Sequence, residues 1–266
     1  MNSEKVLVSR HSAFQALRLT EDGSGLRTLR FGADGAFQSI VKAGDPRHLE
    51  LPYARVLPAC LAFTQNPIRV LIVGLGGGTL PRFFHSHFPQ MLIAVVELDP
   101  DVVQLAKEHC GFVEDERMRV HVGDGRDFIE ASRGGFDVII LDSFDADSIP
   151  THLTTLEFLN AVRNALAPEG IAVANVWGRA TNPLYGSMLL TYRSAFEDVH
   201  IFDVPAPGTK LFVALPHRCV MTRDELVKKA REISRQHGFA YDLGDAIAGF
   251  RNSELEIVRG GSVLRD

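Results

Sequence analysis

An alternation of apolar and amphipathic segments, which begins at residue 70, constrains the fold of this chain more than any other feature. Five apolar runs lack the polar alternation of a half-exposed strand: RVLIVG, LIAVVELD, MRVHVGD, FDVIILD and GIAVANVW. Segments with helical periodicity separate these runs. Strands of this kind are buried on both faces, and the intervening helices imply right-handed crossovers in a parallel sheet. We therefore predict an α/β fold with a doubly wound, mostly parallel sheet.

Two further regions flank the predicted sheet. The first fifty residues contain short apolar stretches separated by Asp22-Gly23 and Asp34-Gly35, which are pairs typical of hairpin turns. Thr222 and Glu225 have the spacing of a capping box before a second amphipathic helix. We therefore divide the chain into an antiparallel β element, an α/β domain, and a helix with a tail, over residues 1–50, 51–220 and 221–266.

A glycine-rich loop follows the first apolar run and precedes a helical segment. In the sequence GLGGGT, the absence of side chains lets the backbone approach a ligand at the amino end of a helix. Acidic residues follow the next apolar run, where a carboxylate can accept hydrogen bonds from both ribose hydroxyls. Glu97 and Asp99 occupy these positions. This combination fits NAD and an adenosyl sulfonium equally well, and a tight packing turn is the purely structural alternative.

The ends of the third and fourth runs separate these two ligands. Thr79 stands where the dinucleotide motif requires a third glycine. Asp124-Gly125 follows the third run, and its carboxylate could accept a hydrogen bond from an adenine amino group. Asp142 and Asp145 follow the fourth run and would attract a cationic amine, from which one of them could take a proton. These features favour an S-adenosylmethionine-like ligand, although Asp142 could simply cap a strand end.

Weaker candidates lie near these acidic positions. His152 belongs to the acidic loop and could contact a substrate, and the ring of Tyr53 could form one wall of a pocket. His85 and His87 are two residues apart, so on a helix they point in different directions and make a poor pair of metal ligands. We therefore predict no metal site.

Composition excludes several classes of partner. The formal net charge of −5 is unfavourable for binding a nucleic-acid backbone, and no run approaches the roughly 20 apolar residues needed to cross a bilayer. The three cysteines lie far apart and indicate no disulfide framework. We expect a cytoplasmic protein without a nucleic-acid or membrane partner.

Four segments of the sequence together resemble the spermidine synthase family of aminopropyltransferases. They are VLIVGLGGGTLPR, VVELDPDVVQLA, RMRVHVGDGRDFI and FDVIILDSFDADSIP, and the resemblance extends over residues 38–216. The family has the class I S-adenosylmethionine methyltransferase fold, which implies a seven-stranded Rossmann-like sheet. Its members carry an amino-terminal β element through which relatives dimerise, so a homodimer is a further expectation.

The resemblance also implies a reaction and roles for individual residues. A putrescine-like amine attacks the aminopropyl carbon of decarboxylated S-adenosylmethionine, and methylthioadenosine leaves. Glu97 matches the residue that binds the donor ribose, Asp142 the proton acceptor, and Asp145 a second acid that faces the amine. Tyr53, Asp145 and His152 are the residues expected at the amine. The residues expected at the donor are Gly74, Gly76, Gly77, Gly78, Glu97, Asp99, Asp124, Gly125, Asp142 and Ser143.

Three departures from the family pattern keep other functions open. The family usually has an aspartate, which holds the aminopropyl amine, at the position of Gly77. Tyr53-Ala54 and Asp145-Ala146 replace its Tyr-Gln and Asp-Pro pairs. A neutral glycine loop would suit the carboxylate of intact S-adenosylmethionine, and the loop also resembles that of animal methyltransferases that modify an elongation factor. Methyl transfer to an amine or a protein is therefore the first alternative, and a non-catalytic nucleoside-binding protein is the second.

Overall fold

The computed structural model describes residues 4–32, 37–132, 134–143, 149–205, 208–247, 250–258 and 260–266. Two sheets organise these residues. The first has four antiparallel strands in sequential order: β1 (Lys5–His11), β2 (Ala16–Glu21), β3 (Leu26–Phe31) and β4 (Phe37–Lys42). The Asp22 carboxylate accepts hydrogen bonds from the amides of Ser24 and Leu26 and so closes the β2–β3 turn. The predicted turn at Asp34-Gly35 lies outside the described residues.

The second sheet contains eight strands and confirms the predicted fold class. Its order is β12-β10-β11-β9-β8-β5-β6-β7, in which β7, β6, β5, β8 and β9 are parallel to one another, and β11, β10 and β12 each pair antiparallel with their neighbours. The strands are β5 (Arg69–Val73), β6 (Leu92–Glu97), β7 (Met118–Val122), β8 (Phe136–Leu141), β9 (Leu166–Trp177), β10 (Asp198–Asp203), β11 (Thr209–Leu215) and β12 (Phe250–Asn252). Seven of them correspond to the expected seven-stranded sheet. The eighth, β12, is only three residues long and has no apolar run that would have revealed it.

Helices cover both faces of this sheet. They are α1 (Pro52–Val56), α2 (Thr79–His87), α3 (Pro100–His109), α4 (Gly125–Ala131), α5 (Leu156–Ala165), α6 (Tyr185–Ala195), α7 (Arg223–Gln236) and α8 (Leu243–Ile247). Short 3₁₀ helices occupy Leu57–Phe63, Thr151–Leu153 and Ser253–Leu255. Alternate residues of β5 enter two separate cores, with Val70 and Ile72 on one face and Leu71 and Val73 on the other. The sheet is therefore buried on both faces, as its unbroken apolar strands predict.

The last long helix, α7, begins as the sequence predicts. The Thr222 hydroxyl accepts from the Glu225 amide at 3.3 Å, and the Thr222 amide donates to the Glu225 carboxylate at 2.7 Å, which completes the capping box. Leu226 and Ala230 of α7 are buried in the same core as Phe83 of α2. The division at residues 50 and 220 stays a prediction. No helix in the described part of the chain is long and apolar enough to cross a membrane.

Candidate functional site

A cleft of about 1010 Å³ opens where the parallel strands end. Its walls come from the residues that follow β5, β6, β7 and β8, from the end of β9, and from the small antiparallel sheet. Ligands of doubly wound sheets bind at this edge. The predicted site residues that line the cleft are Tyr53, Gly74, Gly76, Glu97, Asp99, Asp124, Gly125, Asp142, Ser143 and His152.

Gly74 brings the ends of β5 and β8 together. Its φ of +101° is unfavourable for other residues, and a Cβ on Gly74 would lie 2.3 Å from the carbonyl oxygen of Asp142. Its amide donates to the Val96 carbonyl at 2.8 Å, which also fixes the end of β6. The glycine at this position therefore allows three strand ends to meet at the cleft.

Glu97 holds the glycine loop through its carboxylate. Its Oε2 accepts from the Leu75 amide at 2.8 Å, and its Oε1 accepts from the Asp99 amide at 3.0 Å. Burial raises the pKa of Glu97 above its usual value, although these backbone hydrogen bonds act in the opposite direction. A carboxylate in this position can accept further hydrogen bonds from the hydroxyl groups of a ribose.

Asp99 is the amino-terminal cap of α3 and is almost completely buried. Its Oδ1 accepts from the Asp101 amide at 2.9 Å, and its Oδ2 accepts from the Ser12 hydroxyl at 2.5 Å. Both oxygens therefore hold the helix and the small sheet in place. Asp99 lines the cleft as predicted, but these contacts give it a structural role as well.

Asp124 and His152 lie next to each other in the lining of the cleft. Asp124 Oδ1 caps α4 by accepting from the Arg126 amide at 2.7 Å, while Asp124 Oδ2 lies 2.9 Å from His152 Nε2. The sequence prediction placed His152 at the amine substrate. In the structure it contacts the carboxylate that was expected to bind adenine, and its role at the amine stays a prediction.

Asp142 is held by two side chains that come from distant parts of the chain. Tyr53 Oη donates to Asp142 Oδ2 at 2.9 Å, and Asn175 Nδ2 donates to Asp142 Oδ1 at 2.9 Å. Burial raises the pKa of Asp142, and these two hydrogen bonds partly oppose that increase. A fixed carboxylate with a raised pKa is suited to accepting a proton.

Asn175 was not among the predicted site residues. The only available signal was a polar residue near the end of the apolar run GIAVANVW, which forms β9. Because β9 pairs directly with β8, the end of β9 lies beside the residue that follows β8, which is Asp142. The strand order is needed to recognise this neighbour.

Gly77 and Gly78 are not among the residues that line the cleft. A Cβ on Gly77 would lie 2.4 Å from Val41 Cγ2 and 3.1 Å from Ser39 Oγ, so its open side faces β4. The two residues belong to the turn that leads into α2, for which Gly78 is the amino-terminal cap. Their predicted contact with a donor stays a prediction, and Asp145 lies outside the described residues.

Within the residues that the structure describes, no group of three or more His, Cys, Asp and Glu side chains is arranged to hold a metal ion. The polar groups described in the cleft are several carboxylates with hydrogen-bonding neighbours. These carboxylates can bind hydroxyl and amino groups and can accept a proton.

Comparison with known proteins identifies related sequences. A family model described as the spermine/spermidine synthase domain matches residues 53–195. The chain is 34% identical over 210 residues to the polyamine aminopropyltransferase of Vibrio vulnificus, an alignment that covers 76% of this chain and 65% of the relative. It is 32% identical over 210 residues to the eEF1A lysine and N-terminal methyltransferase of Bos taurus, with 72% and 30% covered. The chain thus spans less than two thirds of either relative.

Solved structures show the same fold. Human methyltransferase-like protein 13 in complex with SAH has a TM-score of 0.65 and 29% identity, and the match covers 71% of this chain and 93% of that one. A probable spermidine synthase from Corynebacterium glutamicum has a TM-score of 0.77 and 23% identity, with 97% and 96% covered. The second match is more extensive, although at this identity it shows the fold alone.

Proposed function

The chain belongs to the spermine/spermidine synthase domain family, and we propose that it transfers an aminopropyl group from decarboxylated S-adenosylmethionine to a putrescine-like amine. The observation that carries this proposal is the fixed carboxylate of Asp142, which lies in the same cleft as Glu97 and Asp124. A family member with this arrangement has both a nucleoside site and a base. The polyamine aminopropyltransferase relatives support the same reaction.

Each carboxylate receives a separate role in this proposal. Glu97 accepts hydrogen bonds from the donor ribose, and Asp124 accepts one from the adenine amino group. Asp142 takes a proton from the ammonium group of the acceptor, and Tyr53 and Asn175 keep its oxygens in position during this step. Asp145 is proposed as a second acid at the amine.

The donor supplies an electrophilic carbon next to a sulfonium. When the amine nitrogen attacks this carbon, a C–N bond forms, the C–S bond breaks, and sulfur leaves with the bonding pair as a neutral thioether. The proton released by the nitrogen resides on Asp142 until solvent removes it. Positioning of the two substrates and removal of this proton are the contributions of the protein.

Methyl transfer from intact S-adenosylmethionine is the second candidate, and one observation favours it. An acid at position 77 would begin 2.4 Å from the Val41 side chain, so the aspartate that usually holds an aminopropyl amine would fit only if Val41 shifted. Instead, the hydroxyls of Ser39 and Thr79 lie 3.2 Å apart at the start of α2, where a helix favours negative charge. Because the Thr79 hydroxyl already donates to the Ile40 carbonyl at 3.2 Å, the amino end of α2 and its neutral glycine loop, and not these hydroxyls, would suit the carboxylate of an intact donor.

A product assay distinguishes the two reactions. The protein is incubated with putrescine and either donor, and the products are separated by mass. Spermidine and methylthioadenosine from the decarboxylated donor are the expected result. If the intact donor instead yields S-adenosylhomocysteine and a methylated amine, the protein is a methyltransferase and the proposal of aminopropyl transfer is wrong. Binding of a donor without turnover, when a panel of amines and proteins has been tested, would support the non-catalytic alternative.

We also retain three expectations that belong to this function. They are a cytoplasmic location, the absence of a nucleic-acid partner, and assembly into a homodimer. Sedimentation of the purified protein tests the last of them, since a monomer at micromolar concentration would contradict it.

A further inference from the structure

Residues 260–266, here called the strap, run across two helices beside the cleft. The Ser262 amide donates to Ser187 Oγ at 3.2 Å, and the Leu264 amide donates to Thr191 Oγ1 at 2.9 Å, both on α6. The Leu264 carbonyl accepts from the Leu156 amide at 2.8 Å, at the start of α5. The strap is therefore tied to both helices through its backbone.

The strap also places a carboxylate between α4 and α5. Arg126 binds Asp266 with both terminal nitrogens, at 2.6 Å for Oδ1 and 2.5 Å for Oδ2, and Thr155 Oγ1 donates to Oδ1 at 2.8 Å. These hydrogen bonds, first that of Arg126 and then that of Thr155, lower the pKa of Asp266 to about 2. Two-point binding of this kind fixes the plane of the guanidinium as well as its position.

Arg126 connects this contact to the cleft. Its amide donates to Asp124 Oδ1, and its Nη1 lies 3.4 Å from the carbonyl oxygen of His152. Thr155, the other partner of Asp266, is the amino-terminal cap of α5 and follows the segment that carries His152. Arg126 and Thr155 therefore both belong to, or contact, the elements that place His152 next to Asp124.

We propose that Asp266 is a positioning residue for the adenine end of the donor site and acts through Arg126 and Thr155 on Asp124 and His152. This inference rests on the proposed function, in which Asp124 binds the adenine amino group. Asp124 Oδ1 already accepts two backbone amides at the start of α4, whereas His152 is the one described partner of Oδ2, so Oδ2 is the oxygen with a lone pair left for a ligand. His152 and the position of α4 set the direction in which Oδ2 points. The strap holds His152 and α4 in place.

Two ligands that share the adenosine portion test the proposal. Methylthioadenosine and S-adenosylhomocysteine are titrated calorimetrically into the full chain, its D266N and D266E variants, and an R265Q control. The ligand that binds the unaltered protein is the one to compare. D266N is expected to bind it roughly fivefold to tenfold more weakly, a size typical of indirect coupling. In turnover, the donor KM should rise by a similar factor, while kcat and the acceptor KM stay within twofold. D266E should recover most of the loss.

The control removes a neighbouring contact from the same strap. Arg265 pairs with Glu157 at 3.0 Å and makes no described contact with Arg126, so R265Q should bind adenosine ligands like the unaltered protein. If D266N folds poorly, R126K replaces it, because it keeps the charge and loses the two-point contact. Equal affinities for D266N and R265Q would overturn the proposal. If the unaltered protein binds neither ligand, the proposed function itself fails, which is a different result.

Discussion

At the scale of single residues, Asp142 combines a buried carboxylate with two hydrogen-bond donors. Burial disfavours the charged form, whereas Tyr53 and Asn175 favour it, and burial is the larger effect on its pKa. The residue is thus a stronger base than an exposed aspartate. Its oxygens also have little rotational freedom, because each one has its own donor.

Replacement of Asp142 by Asn tests its role as a base. The amide has nearly the same shape but cannot accept the proton, so turnover should fall by roughly 10²- to 10⁴-fold. Affinity for methylthioadenosine, measured by calorimetry, should remain within a factor of a few. An unchanged rate would remove Asp142 from the mechanism, and a rate loss matched by a loss of affinity would indicate a binding role.

Replacement of Tyr53 by Phe should move the pH dependence of the reaction. The Tyr53 hydrogen bond lowers the pKa of Asp142, so its loss raises that pKa further. Since the reaction needs the deprotonated form, kcat/KM should begin to fall at a higher pH in the variant as the medium is acidified. The profile of kcat/KM against pH is the measurement.

Tyr241→Phe is the matched control for this experiment. Its hydroxyl is buried without a hydrogen-bond partner among the described residues. The profile of this control should coincide with that of the unaltered protein. A Tyr53→Phe profile that coincides as well would show that the hydroxyl does not act on the base.

At the scale of elements, the turn between β5 and α2 is shaped by the sheet packed against it. Gly77 is pressed against Val41 of β4, and Val41 is itself buried. The small antiparallel sheet therefore limits which residues the glycine loop can contain. This contact links the residue choice in the loop to the packing of a different sheet.

Gly77→Asp should destabilise the protein through this contact. Overpacking of this kind costs roughly 1–3 kcal/mol of unfolding free energy, which urea denaturation measures. In the double variant with Val41→Ala, the space opened at β4 should offset part of that cost. The coupling between the two changes is expected to be at least about 0.5 kcal/mol. Strictly additive effects would mean that the side chain at 77 does not meet Val41.

At the scale of the whole molecule, α7 is joined to α2, the helix that follows the glycine loop. His87 Nδ1 donates to the His237 carbonyl at 2.8 Å, and His237 Nδ1 donates to the His87 carbonyl at 2.9 Å. The rings of Phe83 and Phe239 pack against the His87 ring at tilted angles, with centroids 4.4 and 4.5 Å away. The end of the α2 helix is therefore packed against the segment that follows α7.

Stability should decline in mild acid because His87 is buried. Burial, followed by the neighbouring charges of Arg47 and His237, lowers the pKa of His87, although the His237 carbonyl and Asp45 act in the opposite direction. The unfolded chain then binds more protons than the folded one, so stability is lost as the pH falls through about 6.5, the value for an unperturbed histidine.

Melting temperatures of the unaltered protein and His87→Gln, compared at pH 8, 7 and 5.5, test this expectation. The unaltered protein should lose more stability between pH 7 and 5.5 than the variant. Between pH 8 and 7 the histidine is largely neutral in the folded and the unfolded protein. The melting temperatures of the two proteins should therefore change in parallel over that range. An equal loss in acid would assign the acid sensitivity to other groups.

Much of the architecture could be predicted because its causes are local in the sequence. The apolar runs indicated strands buried on both faces, the Asp99-Pro100 pair indicated the start of α3, and Thr222 with Glu225 indicated the start of α7. Each of these signals depends on residues within a few positions of one another. The short strand β12 had no such signal, since pairing with β10 alone makes it a strand.

The sequence by itself determined the fold class, the carboxyl-end acids and the family, because hydrophobic spacing, capping and motif order are properties of neighbouring residues. Only the tertiary structure decided which side chains meet. Tyr53 reaches Asp142 across 89 positions, Asn175 reaches it across 33, and His152 reaches Asp124 across 28. These contacts depend on strand order and on the direction in which each loop leaves the sheet. The spacing of residues along the chain gives neither the strand order nor the direction of a loop. The sequence therefore identified the acids of the cleft, but it could not identify the side chains that contact them.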